Sequence, residues 1–344
     1  MNKSSEMIAK KHLFYTLITV ILISLSPSFA QQRTSLAHQS EELGKVRWYR
    51  DYDEAILAAK KDKKDIVVLF QEVPGCATCR NYGHNVLSNP LMVEALENSF
   101  IPLAIFNNKG GKDKKILEKF NEPSWNNPVV RIIDTKGKNL TKRIGNDYSA
   151  ITLCKRLKET LLLRGTKVPK YLQLLEQELL SSQSNVIKED YFKMYCFWTG
   201  EKQLGKLDGV MDVEAGFIHH NEVVKVTYNT QMLNTNALFR YATQQNFQNV
   251  NAKNNYKTAT NDVHYYLKHS IYQYIPLSTL QKTKINSALG SQQSAKKLLS
   301  PTQQQWLSLI ENNKIKNSVS FLTTNIEDAW TIMLDQIHNN TSAY

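Results

Sequence analysis

The sequence predicts an α/β first half, then an α+β segment and a helical tail. Three observations carry that expectation. An apolar, β-branched run, Ile66 to Phe70, ends at Pro74-Gly75 and is followed at once by Cys76 and Cys79. A second run, Tyr191–Tyr195, delivers Cys196 to what reads as another helix start, and the alternating stretch Glu222–Tyr228 lies beyond it. From Ser270 onward only helical spacings remain. Short β-branched runs bounded by turn residues read as buried strands, alternation as half-buried strands, and i, i+3, i+4 apolar spacing as helix.

Taken in order, Gln32–Lys45 is polar and reads as a loose lead. Tyr52–Lys61, with Ala55, Ile56, Ala58 and Ala59, reads as a helix. The strand and the cysteine pair follow. Asn89-Pro90 starts another helix, since Pro is preorganised for a first helical turn. Ile101–Phe106 is a second strand, Asn107–Gly111 a loop, Lys112–Phe120 a basic helix and Val129–Ile133 a third strand. A turn around Gly137 leads to a helix over Tyr148–Leu163, which carries Cys154 on its apolar face as a small hydrophobe. Gly165–Pro169 breaks the chain, and Tyr171–Leu180 is an amphipathic helix. In the tail, Pro276–Leu289, Pro301–Ile310 and Ile326–Ile337 carry apolar stripes, with Trp306 and Trp330 as large anchors. These are expected to pack over the second domain.

A chain of 344 residues is long enough for two domains with proper cores. The net charge of +12 comes from scattered Lys and Arg. That pattern implies general surface attraction to anions, not a nucleic-acid site. The first residues pair a basic start (Lys3, Lys10, Lys11) with an apolar run over Leu13–Leu25, and Ser28-Phe29-Ala30 offers small residues at the cleavage positions. This reads as a signal peptide cut after Ala30, giving a periplasmic or secreted protein with no stable membrane insertion. The apolar run falls short of the ~20 residues of a spanning helix. The expected division is a signal peptide over 1–30, a first domain over 46–165, a helical linker over 166–188, a second domain over 189–269 and a helical tail over 270–344.

The Cys76/Cys79 layout carries specific chemistry. A thiolate at a helix N-terminus meets unpaired backbone N–H groups and the positive end of the dipole, so it becomes a usable nucleophile near neutral pH. Cys79 lies one helical turn on and can close a disulfide with Cys76. A fixed structural bridge and half of a metal site are the other readings of the pair. Metal needs further ligands, and no second Cys pair exists, so neither a metal nor a cofactor is assigned.

The order of elements over about Val46 to Arg164 resembles the thioredoxin-like fold. Pro128, just before the third strand, matches that family's cis-proline, which lies against the dithiol and its substrate; Asn127 would present its backbone there. Gly75 replaces the family's usual Trp. Val73-Pro74-Gly75 is similar to a bacterial thioredoxin-like group in which the first redox position is Cys or selenocysteine. The resemblance implies that Cys76 is the nucleophile and Cys79 resolves it.

The second half resembles A-type peptide methionine sulfoxide reductases. Cys196, Phe197, Trp198 and Glu201 match the family's Gly-Cys-Phe-Trp-Gly-x-Glu, with Tyr195 and Thr199 in the glycine places. Leu207-Asp208-Gly209-Val210 corresponds to a Leu-Pro-Gly-Val turn. His220-Asn221-Glu222-Val223-Val224 corresponds to a His-Ala-Glu-Ala-Val strand, and Asn255-Tyr256-Lys257-Thr258-Ala259 echoes Gln-Tyr-Arg-Ser-Ala. His264 echoes a family Asp-x-His. The resemblance implies that Cys196 attacks the sulfoxide sulfur of oxidised methionine. Phe197 and Trp198 would seat the S-methyl group. Glu222, its carboxyl raised by an apolar pocket, would donate to the sulfoxide oxygen, and Tyr256 would hydrogen-bond the same oxygen. The family's long loop before the His-Ala-Glu strand is missing. No Cys follows Cys196, so the resulting sulfenic acid would be resolved by the attached dithiol, whose tethering gives a roughly millimolar effective concentration. The alternative is a thiol–disulfide oxidoreductase acting on protein disulfides, with the second domain as a client-binding or structural module.

Overall fold

The sheet that leads to the cysteine pair is built on β1 (Asp65–Gln71), buried from Ile66 onward. The computed structural model describes residues 33–125, 128–182, 185–250, 255–315 and 319–341, so the expected signal peptide lies outside the described residues. No helix among the described residues is long and apolar enough to cross a membrane.

β1 lies between β2 (Phe100–Phe106), parallel to it, and β3 (Val129–Ile133), antiparallel. Single bridges extend both edges, Tyr49 beside Leu103 and Ile144 beside Val130. Alternation along β1 gives the sheet two cores. Val67 and Leu69 face one, which also takes Tyr82, Leu91, Leu96, Leu153 and Leu157. Ile66, Val68 and Phe70 face the other, with Ala55, Ala58, Leu117 and Phe120. α1 (Tyr52–Asp62) starts where the Asp51 side chain accepts the N–H groups of Asp53 and Glu54, and it stops at Lys63 in the left-handed region, φ 55°. α2 (Ala77–Asn85) follows Cys76. α3 (Pro90–Ser99) is capped by Asn89 with Pro90 in its first turn. α4 (Lys112–Phe120) and α5 (Ala150–Leu163) complete this half. The lead before α1 is not loose. A 3-10 turn over Glu41–Leu43 buries Glu42 and Leu43, and Val46 and Trp48 join the core. Gly83 permits this approach, since a Cβ there would lie 2.0 Å from the Glu41 carbonyl oxygen.

α6 (Lys170–Ser181) carries Tyr171, Leu172 and Leu175 into the first core and Leu174 into the core of the tail. The second sheet is five-stranded and antiparallel, ordered β7-β4-β6-β5-β8. Its strands are β4 (Ile187–Lys193), β5 (Val210–Ile218), β6 (Asn221–Asn229), β7 (Gln248–Val250) and β8 (Tyr256–Thr258). β4 ends at Lys193, two residues short of the expected Tyr195, whose side chain is 99% exposed. β5 and β6 form a hairpin turning at His219 and His220, with His219 at φ 54°. Gly209 starts β5 at φ 86°, a conformation that favours glycine. α7 (Phe197–Gly205) covers the face bearing Ala215, Val224 and Tyr228, and α8 (Thr235–Gln244) adds Leu238 and Ala242.

The tail departs from the expected apolar stripes at its first helix. After a single short turn, α9 (Tyr265–Lys268), comes α10 (Thr279–Gly290), which buries Gln281, Lys282, Thr283, Lys284, Asn286 and Ser287. Each makes directed bonds, because a buried polar group without a partner is costly. Lys284 Nζ donates to the carbonyls of Gly205 (2.8 Å), Leu207 (2.6 Å) and Val210 (3.0 Å). Ser287 donates to the Lys202 carbonyl at 2.6 Å. Gln281 and Gln303 exchange amide bonds at 2.8 and 2.9 Å. α11 (Pro301–Glu311) and α12 (Ile326–Thr341) reach beyond the second sheet to the first half. Thr302 gives its N–H and hydroxyl to Glu94 at 2.9 and 2.6 Å, and Ile326 and Trp330 pack on the first core.

Candidate active site

β1 hands over to α2 through a loop whose polar atoms are individually held. Gln71 Nε2 donates to the carbonyls of Glu42 and Cys79, the latter at 3.3 Å. Asn108 accepts the Val73 N–H at 3.2 Å and donates to the Pro74 carbonyl at 3.1 Å. The Gly75 N–H donates to the buried Glu42 carboxylate at 2.6 Å, and Arg80 donates to the Gly75 carbonyl at 2.7 Å. Burial opposes charge on Glu42, but the Ser40 hydroxyl and the Gly75 N–H outweigh it and hold the carboxyl below its usual range. The Val73–Pro74 peptide is cis. Gly75 is required by close approach. A Cβ there would sit 2.5 Å from the Glu72 carbonyl oxygen and 2.7 Å from Cys79 Cβ.

Cys76 occupies the N-cap of α2 with an exposed side chain, and Cys79 Sγ lies 3.5 Å from its sulfur in a fully buried position. The two thiols are tuned in opposite directions. The Cys79 N–H, the Cys79 thiol and the Thr78 N–H all point to Cys76 and lower its pKa, against burial and the nearby Glu72 charge. Burial, and then the neighbouring Cys76, push Cys79 up to about 12. The Glu72 carboxylate and both sulfurs lie within 4.8 Å of one another.

Pro128 is buried and leads into β3 at the end of the sheet where Val129 pairs with Phe70, the same end from which the cysteine loop departs. Asn127 lies outside the described residues. Cys154 is buried in the first core, and burial raises its thiol to about 12.

Residues 47–135 match the family model described as thioredoxin-like. The chain carries a thioredoxin-like domain. Among solved structures it is similar to a DsbH oxidoreductase, at 19% identity over 38% of this chain and 95% of that one, with a TM-score of 0.31. It is also similar to a thioredoxin from Thermus thermophilus, at 18% identity over 33% and 85%, with a TM-score of 0.27. No curated protein matches the chain.

Around Cys196 the structure brings some of the expected residues together. Cys196 is the half-buried N-cap of α7. Glu222 reaches across from β6, and its Oε2 accepts the Phe197 N–H at 2.8 Å. The carboxylate thus sits on the orphan donors of the helix that Cys196 opens. Phe197 packs edge-on against Phe217 at 5.3 Å, and Trp198 stacks on Tyr265 at 3.9 Å. Trp198 Nε1 is buried with no acceptor among the described residues.

Tyr256 is not part of this cluster. Along β5, Ala215 and Phe217 face α7 and Gly216 faces away, and the Tyr256 ring lies over Gly216, where a Cβ would come within 2.4 Å of it. Its hydroxyl donates to the Glu214 carbonyl at 2.9 Å, and its ring packs against Tyr191. It therefore occupies the face of the sheet opposite Cys196, which corrects the expected shared contact with a sulfoxide oxygen. Tyr266 lies within electrostatic reach of Cys196, and burial, then Cys196, push its phenol up. Its only signal in the sequence was its place two residues after His264.

Glu201 is buried below. It accepts the N–H groups of His264 (2.7 Å) and Tyr265 (3.2 Å) and the Asn286 amide (3.1 Å). Burial raises its carboxyl to about 7, against the pull of His264. His264 Nε2 lies 3.1 Å from Asp212, which also accepts the Thr283 hydroxyl at 3.0 Å. Glu201 thus anchors the segment carrying Tyr265 and Tyr266.

Proposed function

We propose that the chain is a thiol–disulfide oxidoreductase working through Cys76 and Cys79. The asymmetry of the pair carries this reading: an exposed, acidified sulfur at a helix start and a buried, high-pKa sulfur 3.5 Å behind it. The Cys76 thiolate attacks one sulfur of a protein disulfide, forming a mixed disulfide and releasing the other sulfur as a thiolate. Cys79 then loses its proton and attacks Cys76 Sγ. The client leaves reduced, and the two electrons remain as one Cys76–Cys79 bond. Only about 1.5 Å of sulfur movement separates 3.5 Å from bonding distance. An external thiol resets the pair. The test is insulin reduction driven by dithiothreitol. Cys76→Ser is expected to abolish it, and Cys79→Ser to leave Cys76 trapped in mixed disulfides. No reduction by the wild type would refute the reading.

A second reading adds methionine sulfoxide repair at Cys196, and the contact of Glu222 with the Phe197 N–H favours it. Cys196 would attack the sulfoxide sulfur, with Glu222 beside it to relay the thiol proton to the sulfoxide oxygen, and the hydroxyl then passes to Cys196 Sγ as the bond between the two sulfurs breaks. Methionine leaves as the thioether and Cys196 keeps the oxygen as a sulfenic acid. A thiol from Cys76 condenses with it, releasing water, and Cys79 completes the reset. Methionine sulfoxide turnover with dithiothreitol tests this. Cys196→Ser should abolish it and Cys76→Ser should spare it. The proposal places both activities outside the cytoplasm, supported by the basic and apolar start of the sequence. N-terminal sequencing of the mature protein should begin at Gln31.

A further inference from the structure

We propose that the reduced site is also a binding site for a borderline-soft divalent cation of the zinc class, held by Cys76 Sγ, Cys79 Sγ and the Glu72 carboxylate. The inference rests on the same two thiols as the redox reading and adds a third ligand and a second state. Zinc accepts thiolate and carboxylate together, usually with tetrahedral geometry. With zinc–sulfur bonds near 2.3 Å, the sulfurs of a tetrahedral site stand roughly 3.8 Å apart. Cys76 and Cys79 already stand at 3.5 Å, and the Glu72 carboxylate is within 4.8 Å of both. Small side-chain rotations close the triangle.

The surroundings suit an ion. Glu72 has no ion-pair partner among the described residues. Gly75 presents no side chain on its flank of the site, where a Cβ would crowd Cys79 Sγ at 3.2 Å. Cys76 is exposed, so an ion can enter and a water can complete the shell. Binding displaces the two thiol protons to solvent and changes no oxidation state. A Cys76–Cys79 disulfide offers no thiolate, so the oxidised protein has no such site. The cation would cap the nucleophile and hold the protein inactive until it is removed.

The experiment uses mature, fully reduced, chelator-treated protein titrated with cobalt(II), then with zinc(II). The expected result is one equivalent of cobalt bound with a thiolate-to-cobalt charge-transfer band, lost on adding zinc and absent from disulfide-oxidised protein. Glu72→Gln should weaken cobalt binding by about tenfold or more, as loss of a charged ligand does. A reduced wild type without the band overturns the proposal. So does a Glu72→Gln variant of unchanged affinity, which would leave a bare dithiol chelate. Insulin reduction in the presence of chelator is read separately. Turnover without the cobalt band removes only the metal site, and the band without turnover removes only the redox reading.

Discussion

Limiting alkylation of the fully reduced protein should label Cys76 and leave Cys79 almost untouched, and the size of the difference follows from the site. A thiol titrating at about 12 is ionised at pH 7 in roughly one molecule in 10⁵, whereas an ordinary thiol near 8.5 is ionised in about three in a hundred. Cys76 titrates below its usual range, so its advantage in thiolate is at least ~3 × 10³. Part of that is returned, because a more basic thiolate is the better nucleophile; with a Brønsted coefficient near 0.45, about 1.6 decades are lost. Roughly two decades of selectivity remain from ionisation alone. Burial of Cys79 adds to them, since iodoacetamide must reach the sulfur. The assay is substoichiometric iodoacetamide at pH 7 followed by mass spectrometry. Both sulfurs fall in the peptide ending at Arg80, and fragmentation between Ala77 and Thr78 separates them. Equal labelling, or Cys79 first, would refute the assignment of nucleophile and resolving thiol.

Other outcomes follow from the same structure. Gly75→Ala should destabilise the protein by about 1–3 kcal/mol through overpacking against Glu72 and Cys79, read as a lower Tm together with slower insulin reduction. Glu222→Ala removes the acceptor at the start of α7 and should cost about 1 kcal/mol, measured by urea denaturation. Lys284→Met leaves three carbonyls bare and should cost at least ~3 kcal/mol by the same measurement. Glu201 and His264 are both raised in the folded state, so each stabilises fully below its unfolded pKa and less as pH rises through its folded value, about 7 for Glu201. Stability by urea denaturation should therefore fall between about pH 5 and 8, and Glu201→Gln should flatten that slope.

Much of the first half was legible because its signals are local. A buried β-branched run, a Pro-Gly turn and a cysteine at a helix start lie within a few residues of one another, and the structure keeps β1, α2, β2, α4 and β3 close to the expected spans. Glu42 was hidden because its value is tertiary. It lies in a polar lead, and only the folded chain brings it to the Gly75 N–H. Tyr256 was misplaced for another reason. Motif order along a sequence does not fix which face of a sheet a residue takes, and one step of register moves a side chain to the other side. The first helix of the tail was misread as an apolar stripe. Its polar residues are buried by matching individual carbonyls and amides, a complementarity that has no period to detect. The pairing of Cys196 with Glu222 was expected only through the resemblance, since no period in the sequence links a helix start to a residue on a separate strand.

Both halves of the protein depend on what is synthesised after them. Ile326 and Trp330 are needed to cover part of the first core, and Lys284 to quench the carbonyls at the end of α7. A nascent chain halted before residue 279 would hold two sheets, each with an open flank. Its uncovered apolar side chains and bare carbonyls should make both sheets less stable than in the full chain, where the late helices shield them.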